Sequence, residues 1–322
     1  MRHLLPATTI PHKRVSMSKP WTRLIRCTAR GHGNRVFLGE PIDPKVDVGL
    51  ALHNGKDVQV YEISGSSALD PHARVTSNIL TVAKLLTPLS RDEVPVVRAL
   101  GLNYSDHADE AAHLAGREKV DLPKFPMLFY KPSTSLIPSG DPIVLPSVVR
   151  PYAEHLPDYE VELVIVIGRD TKNVTEEDAL DYVLGYTGAN DVSFRKWQNA
   201  IPQWGFSKSF DDTNPLGPVL VSKHALPDPQ TISLKAVFNG QLVQNGNSSK
   251  QIFNVRKTIS FLSQSTTLPA GTIIMTGTPA GVGFVRREKL WLKPGDEIRC
   301  EVGGGIGTLI NSVIEEKPKS KL

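Results

Sequence analysis

Two carboxylates stand at the start of the apolar stretch DYEVELVIVIG, residues 158–168. Side chains alternate between the faces of a β-strand, so Glu160 and Glu162 point the same way, and both faces become apolar beyond them. Burying two like charges about 7 Å apart without a partner is costly, and a cation between them would resolve the cost. The alternative is an exposed strand end at which both carboxylates simply meet water.

A third acid, Asp191 in YTGANDVSFRKWQ, again follows directly on an apolar, glycine-containing segment. Three carboxylates without an accompanying Cys or His cluster are hard oxygen ligands, which suit Mg²⁺, Mn²⁺ or Ca²⁺ better than zinc. Three protein ligands also leave positions open for water and a bidentate substrate. The sequence therefore indicates a site for one hard divalent cation.

His107 and Glu110 form a second candidate pair within GLNYSDHADEAAH, which has the spacing of a helix capped by Ser105. Side chains at i and i+3 share a helical face, so the carboxylate can raise the basicity of the imidazole. Such a pair can act as a general base toward water or a carbon acid. An H-x-x-E pattern alone also fits an ordinary surface or structural histidine.

Cations and amides gather in SFRKWQNAIPQWGFSKSF, where Arg195 and Gln198 share a helical face and Lys208 lies in a following loop. These groups can bind carboxylates and an enolate oxygen. A solvated helix face explains the same residues equally simply. Thr278 in the glycine-rich TGTPAGVG, which can cradle a carboxylate, and Lys131 in FYKPST are further candidates of low individual specificity.

Short strands and turns dominate the pattern, and βαβ alternation is absent, so we predict an α+β, sheet-dominated fold. Asn239-Gly240 predicts a type I′ hairpin within SLKAVFNGQLVQNG. Helices are predicted for SNILTVAKLL, for VTEEDALDYVLGY with Thr175 as N-cap, and for SFRKWQNAI with Ser193 as N-cap.

Charge and composition narrow the class of protein. The net charge is +4, but residues 1–39 hold eight Lys or Arg and no acid, so the remaining chain carries −4. A mildly acidic body argues against a nucleic-acid partner. No apolar run approaches the roughly 20 residues that span a bilayer, which argues against a membrane protein. Cys27 and Cys300 cannot form a disulfide framework, so a reducing intracellular compartment is expected.

In combination the motifs resemble the fumarylacetoacetate hydrolase family, in its shorter branch of acylpyruvate hydrolases, oxaloacetate decarboxylases and tautomerases, and hydroxymuconate isomerases. The match covers about residues 99–313 and rests on this series: GLNYSDHADEA, FYKPST, DYEVELVIVIG, GYTGANDVSFRKWQ, SKSFDDTNPLGP, NGQLVQ, TGTPAGVG and GGGIGTLIN. PSVVRPYAEHLPDYEVEL is longer than in the smallest members, which leaves the choice of substrate open.

The resemblance implies a twisted β-roll, a homodimer and one Mg²⁺, Mn²⁺ or Ca²⁺ per active site. It also implies roles for nine residues: metal ligands Glu160, Glu162 and Asp191; catalytic residues His107, Glu110 and Lys208; and substrate-binding residues Arg195, Gln198 and Thr278. Lys131 is a further candidate for substrate binding. The substrate would be a small 2-oxo or 1,3-diketo acid. Acylpyruvate hydrolysis comes first, with oxaloacetate decarboxylation or tautomerisation as alternatives and a non-catalytic metabolite-binding protein as a rival class.

Three segments are expected: an extension over residues 1–19, a small N-terminal domain over 20–96 and a catalytic domain over 97–318. The extension is basic and free of acids, as in a mitochondrial presequence, but Met17 is also a possible alternative start. A cytoplasmic location is expected, with a mitochondrial one as the alternative.

Overall fold

A computed structural model describes residues 20–114, 116 and 122–317. The predicted extension over residues 1–19 and the last five residues lie outside this description. The described residues form five α-helices: α1 (Val48–His53), α2 (Ser105–Leu114), α3 (Tyr152–His155), α4 (Arg195–Ala200) and α5 (Val255–Leu262). Among these residues, no helix is long and apolar enough to cross a membrane.

Eighteen strands are present in the described part of the chain. The first nine are β1 (Arg23–Ala29), β2 (Val36–Pro41), β3 (Gln59–Ile63), β4 (Val75–Leu86), β5 (Val97–Gly101), β6 (Met127–Lys131), β7 (Leu136–Ile137), β8 (Ile143–Leu145) and β9 (Pro157–Asp158). The others are β10 (Val161–Ile167), β11 (Val183–Asn190), β12 (Ser193–Phe194), β13 (Asn214–Ser222), β14 (Ser233–Phe238), β15 (Gln241–Asn247), β16 (Ile273–Met275), β17 (Glu297–Val302) and β18 (Gly307–Glu315). The predicted dominance of sheet over helix is confirmed.

The strands form one large sheet, one sheet of five strands and one strand pair. The large sheet has the order β2-β3-β4-β1-β13-β11-β10-β16-β5-β6, with β7 attached to β13. The five-stranded sheet has the order β15-β14-β17-β18-β8, and β9 pairs with β12. Because β1 hydrogen-bonds to β13, strands on both sides of residue 96 share one sheet.

Strand β10 lies between two hydrophobic cores, as its apolar faces predict. Every residue from Val161 to Ile167 is buried. Alternate residues contribute to different cores: Val161, Leu163, Ile165 and Ile167 to the larger one, Val164 and Val166 to the other. The acidic start of this strand is therefore anchored by apolar packing on both faces.

The segment SNILTVAKLL is not a helix; it belongs to strand β4. Its alternating residues Leu80 and Val82 are buried, while β3 and β1 hydrogen-bond to its two edges. These long-range pairs and β-branched residues outweigh the local helix propensity. The hairpin prediction is confirmed, because Asn239 and Gly240 have φ of 48° and 83° between β14 and β15.

Two predicted helices differ in detail. VTEEDALDYVLGY forms only a 3₁₀ turn over Ala179–Tyr182 before β11, although Thr175 does accept from the Asp178 N–H at 3.2 Å. Helix α4 begins at Arg195 with Phe194 as its N-cap, so Ser193 is not the cap. Ser193 instead lies in β12, which directs its hydroxyl into the interior.

Candidate active site

Three buried carboxylates meet where strand β10 begins and strand β11 ends. The two strands are antiparallel neighbours, with Val161 opposite Asn190. Glu160 and Glu162 therefore lie beside Asp191, whose N–H donates to the Glu160 carbonyl at 2.9 Å. One oxygen from each carboxylate lies within 4.8 Å of the others.

Three cations surround this acidic cluster. The Nζ of Lys208 donates to Glu160 Oε2 at 3.1 Å and to Asp191 Oδ2 at 2.7 Å. The Nζ of Lys131 donates to Asp191 Oδ1 at 2.8 Å, and Arg195 NH1 lies 2.7 Å from Glu160 Oε1. Asp191 and Glu160 are thus compensated by cations within the protein.

Glu162 has no such compensation. One of its oxygens accepts from the Gly277 N–H at 2.7 Å, and its Oε1 is buried without a hydrogen-bond partner. Burial and the nearby charges of Asp191 and Glu160 raise the pKa of Glu162 well above its ordinary range. Burial also opposes ionisation of Glu160, but Lys208 and Arg195 lower its pKa to about 2. The orphaned oxygen and the all-carboxylate donor set fit a hard divalent cation.

The predicted dyad lies across the cavity on helix α2. His107 Nδ1 is 3.7 Å from Glu110 Oε2, too far for a hydrogen bond, and it has no other partner. Glu110 Oε2 accepts from the Gly281 N–H at 2.8 Å, which ties the helix to the TGTPAGVG loop. The carboxylate is therefore fixed beside an imidazole that faces the cavity.

The remaining predicted residues fall into two groups. The cavity is lined by Arg195, Gln198, Lys208 and Thr278. The Lys131 side chain is fully buried and contacts Asp191 instead. Phe129 is part of the cavity wall. Thr278 Oγ1 donates to the Val161 carbonyl at 2.9 Å, so its hydroxyl proton is directed to the main chain. Burial lowers the pKa of Lys131, and the charge of Asp191 opposes this shift.

Two polar residues of the site were not predicted as such. Ser193, assigned as a helix cap, accepts from the Nζ of Lys208 at 2.6 Å. Asp158, the first residue of DYEVELVIVIG, is 0 % exposed and pairs with Arg195 at 2.8 Å. Its position two residues before Glu160, on the same face of the chain, was the only sequence signal for it.

A cavity of about 250 Å³ opens onto Glu160 of the acidic cluster, His107 and the side chains of Arg195, Gln198, Lys208 and Thr278. Its lining is polar at the acidic cluster and mainly apolar elsewhere, with Leu100, Leu102, Phe129, Trp204, Val282, Phe284 and Val285. Trp204 contacts Phe129 edge-to-face, with ring centroids 5.7 Å apart. A Cβ on Gly101 would lie 2.2 Å from the Trp204 ring, so glycine at this position allows the indole to lie against the strand.

A sheet-dominated fold with three buried carboxylates beside a cavity is typical of enzymes that bind a divalent metal ion. Comparison with models of protein families identifies the family. The C-terminal model of fumarylacetoacetate (FAA) hydrolase matches residues 96–314. The chain therefore belongs to the fumarylacetoacetate hydrolase family, which confirms the resemblance inferred from its motifs.

Similar proteins include three that are named for different activities. A caffeoylpyruvate hydrolase of Neonothopanus nambi is 55% identical over 302 residues, covering 94% of this chain and 96% of that protein. A mitochondrial oxaloacetate tautomerase of Homo sapiens is 38% identical over 231 residues, covering 71% of this chain and 69% of that protein. The crystal structure of a 5-carboxymethyl-2-hydroxymuconate delta-isomerase from Mycobacterium smegmatis has a TM-score of 0.70 at 30% identity, covering 91% and 100% of the two chains.

Proposed function

We propose that this protein is a divalent-metal-dependent hydrolase that cleaves a carbon–carbon bond in acylpyruvates with an apolar or aromatic acyl group. The observation that carries the proposal is a single cavity with a charged end, at Glu160 and Arg195, and an aromatic wall, at Phe129 and Trp204. A 1,3-diketo acid needs both, because its carboxylate and carbonyls are polar and its acyl arm is not. The similarity to a caffeoylpyruvate hydrolase supports the same assignment.

Glu160, Glu162 and Asp191 would hold the metal ion, for which we propose Mg²⁺ or Mn²⁺, with Ca²⁺ as the alternative. A bound divalent ion supplies positive charge that polarises the oxygens of a 2-oxo acid. Lys131 holds Asp191 in place through its 2.8 Å contact, so we assign it an indirect part in substrate binding.

The residues around this cluster supply binding and proton transfer. Arg195 and Gln198 would bind the substrate carboxylate, since both line the cavity and the Gln198 Oε1 already accepts from Arg195, which leaves its NH₂ group to donate. Burial opposes the charge of Lys208, but Asp191 and Glu160 raise its pKa, so the ammonium group stays charged. Its three N–H groups already donate to Glu160, Asp191 and Ser193, so its positive charge would stabilise a developing enolate oxygen. Thr278 lines the cavity, and its hydroxyl would bind a substrate oxygen only by turning its proton away from the Val161 carbonyl.

His107 is positioned to activate water, with Glu110 stabilising the imidazolium that results. Water loses a proton to the imidazole and attacks the acyl carbonyl, and the adjacent carbon–carbon bond breaks. The acyl group leaves as a carboxylic acid, and the electron pair passes to pyruvate as its enolate. The proton held by His107 then returns to the enolate carbon, so that all atoms and charges balance.

Oxaloacetate tautomerisation or decarboxylation is the second candidate. The human relative named for tautomerisation favours it, and both reactions also pass through an enolate next to a carboxylate. The dyad can move a proton between carbon and oxygen without any attack by water. The size of the apolar wall distinguishes the candidates, since oxaloacetate has no apolar arm to occupy it.

The test is a comparison of kcat/KM for benzoylpyruvate, acetylpyruvate, fumarylacetoacetate and oxaloacetate with Mg²⁺, in wild type and in Trp204→Ala. We expect the wild type to prefer benzoylpyruvate. Loss of the indole should lower kcat/KM for benzoylpyruvate at least about fivefold, because an aromatic contact contributes roughly 1 kcal/mol beyond its buried area. Acetylpyruvate should change much less. Faster conversion of oxaloacetate than of any acylpyruvate would assign the second candidate instead.

Metal binding should release a proton from Glu162. Because its pKa is raised in the metal-free protein, the folded state retains a proton that the unfolded chain loses near pH 4.5. The protonated Glu162 contributes its full share to the free energy of unfolding below about pH 4.5, and this share is lost as the pH rises toward the Glu162 pKa of the folded protein. Mg²⁺ needs the carboxylate, so its apparent affinity should rise by up to about tenfold per pH unit in that window. Calorimetry in two buffers of different ionisation enthalpy measures the proton; equal heats would contradict the prediction.

We further propose the finer organisation that the motifs imply: a β-roll catalytic domain over residues 97–318, a small N-terminal domain over 20–96, an extension over 1–19 and a homodimer. Exposed Phe125, which stacks on Phe261, and exposed Tyr130 on β6 at the edge of the large sheet offer an apolar surface for a second copy. For location we propose the cytoplasm, with mitochondria as the alternative because several relatives are named mitochondrial.

A further inference from the structure

Asp158 is a carboxylate with every acceptor position occupied, and no sequence motif assigned it a role. Its Oδ2 accepts from Arg195 Nε at 2.9 Å and from the Phe284 N–H at 2.9 Å, and it lies 2.8 Å from Arg195 NH2. Its Oδ1 accepts from the N–H groups of Tyr159 at 2.8 Å and Gly283 at 2.7 Å. The residue thus joins three segments of the chain at one buried point.

One of those segments forms a wall of the cavity. Val282, Phe284 and Val285 line it, and Gly283 lies between them. A Cβ on Gly283 would lie 2.7 Å from Asp158 Oδ1, so the carboxylate and this loop approach as closely as glycine permits. The hydrogen bonds that the Gly283 and Phe284 N–H groups donate to Asp158 therefore fix the loop relative to β9, which carries Asp158.

The other segment is helix α4. Arg195 has two faces: Nε and NH2 contact Asp158, whereas NH1 lies near Glu160 Oε1 and donates to Gln198 Oε1 at 2.8 Å. Asp158 does not line the cavity, but Arg195, Gln198 and Glu160 do. The guanidinium is therefore held from behind by one carboxylate while its other edge faces the cavity.

We propose that Asp158 is a positioning residue for substrate recognition: it fixes the 282–285 loop and the Arg195 guanidinium, so that the Arg195 charge and the Gln198 amide held by NH1 face the substrate carboxylate. The inference rests on the proposed function for the identity of that carboxylate. Nε and NH2 both lie within 2.9 Å of Asp158 Oδ2, so this one oxygen holds two corners of the guanidinium, which a single contact to Glu160 cannot do. Asp158 acts through Arg195 and touches no reacting atom.

The test begins with Asp158→Asn, which keeps the shape but replaces one oxygen by an NH₂ group. That group must face either the Arg195 donors or two main-chain N–H groups, and it can accept from neither. We expect KM for an acylpyruvate to rise about 100-fold, as for a misplaced binding group, with a smaller change in kcat. The affinity for pyruvate, measured by calorimetry with Mg²⁺, should fall in parallel. Asp158→Glu keeps the negative charge but moves it by one methylene group. Its KM and its affinity for pyruvate should lie between those of the wild type and Asp158→Asn.

A double-mutant cycle separates positioning from simple structural support. If Asp158 acts through Arg195, the losses in kcat/KM for Asp158→Asn and Arg195→Gln should be strongly non-additive. Asp228→Asn is the matched control, because Asp228 caps a surface 3₁₀ turn outside the cavity. A lower Tm with unchanged KM and pyruvate affinity, or additive losses, would overturn the inference.

A third measurement does not depend on the substrate. Hydrogen exchange of the Arg195 Nε–H, followed by NMR, should be slow in wild type and faster in Asp158→Asn, because the anchor accepts from that group. Unchanged exchange would overturn the inference even if kinetics changed. Failure of the proposed function shows differently: the wild type itself would neither cleave acylpyruvates nor bind pyruvate, whereas the exchange result would stand.

Discussion

Glu162→Gln should lower turnover by at least about 10³-fold, because charge supplied by a metal ion contributes several kcal/mol to the transition state and this residue is a proposed ligand. The same change should raise the Tm of the metal-free protein. Above about pH 4.5 the folded protein must either keep a proton on buried Glu162 or bear its charge beside Asp191 and Glu160, and both cost stability. A glutamine there is always neutral and can donate to its neighbours. Scanning calorimetry with and without Mg²⁺ measures both effects.

A loss of turnover together with a gain in the Tm of the metal-free protein distinguishes a metal ligand from a residue that only supports the fold. Mg²⁺ should raise the Tm of the wild type but not that of Glu162→Gln. Glu176→Gln is the matched control, since Glu176 is exposed and belongs neither to the acidic cluster nor to the cavity lining. Full activity of the wild type after removal of divalent ions with EDTA would refute the metal assignment. A lower Tm in the metal-free variant would show that the carboxylate is not destabilising.

His107→Ala should lower kcat by about 10²- to 10⁴-fold, with much smaller changes in KM and in Mg²⁺ affinity, if the imidazole is the general base. The side chain faces the cavity and its Nδ1 is unpartnered, so its removal leaves no protein group without a hydrogen bond to Nδ1. Alanine is also well tolerated in a helix, so stability should change little. His113→Ala, on an exposed position of the same helix, is the matched control.

Glu110 should act on the same path as His107. Glu110→Gln keeps an oxygen for the Gly281 N–H but removes the charge beside the imidazole. The double variant should therefore be little worse than either single variant with both an acylpyruvate and oxaloacetate. Additive losses would mean that the two residues act separately. A near-normal kcat in both single variants would show that His107 is a structural residue and not the general base.

Much of the site follows from local pattern in the sequence. Strand alternation places Glu160 and Glu162 on one face, and apolar flanks predict burial, so their cost and the need for a cation can be argued without coordinates. Helical spacing likewise puts His107 and Glu110 together on α2. These inferences hold because the interacting residues are separated by only two or three positions, and the period of the element fixes their relative direction.

Residues whose surroundings come from distant parts of the chain were not predictable in this way. SNILTVAKLL forms a strand because β1 and β3 flank it, and Ser193 contacts Lys208 because β9 and β12 pair below α4. Likewise, the anchor at Asp158 exists only because Gly283, 125 residues later, returns to it. Local pattern alone predicted that Glu160 and Glu162 share a face and that His107 lies beside Glu110. The tertiary structure decided which cations compensate the acidic cluster, what anchors Arg195 and which apolar residues line the cavity, because long-range packing brings those groups together.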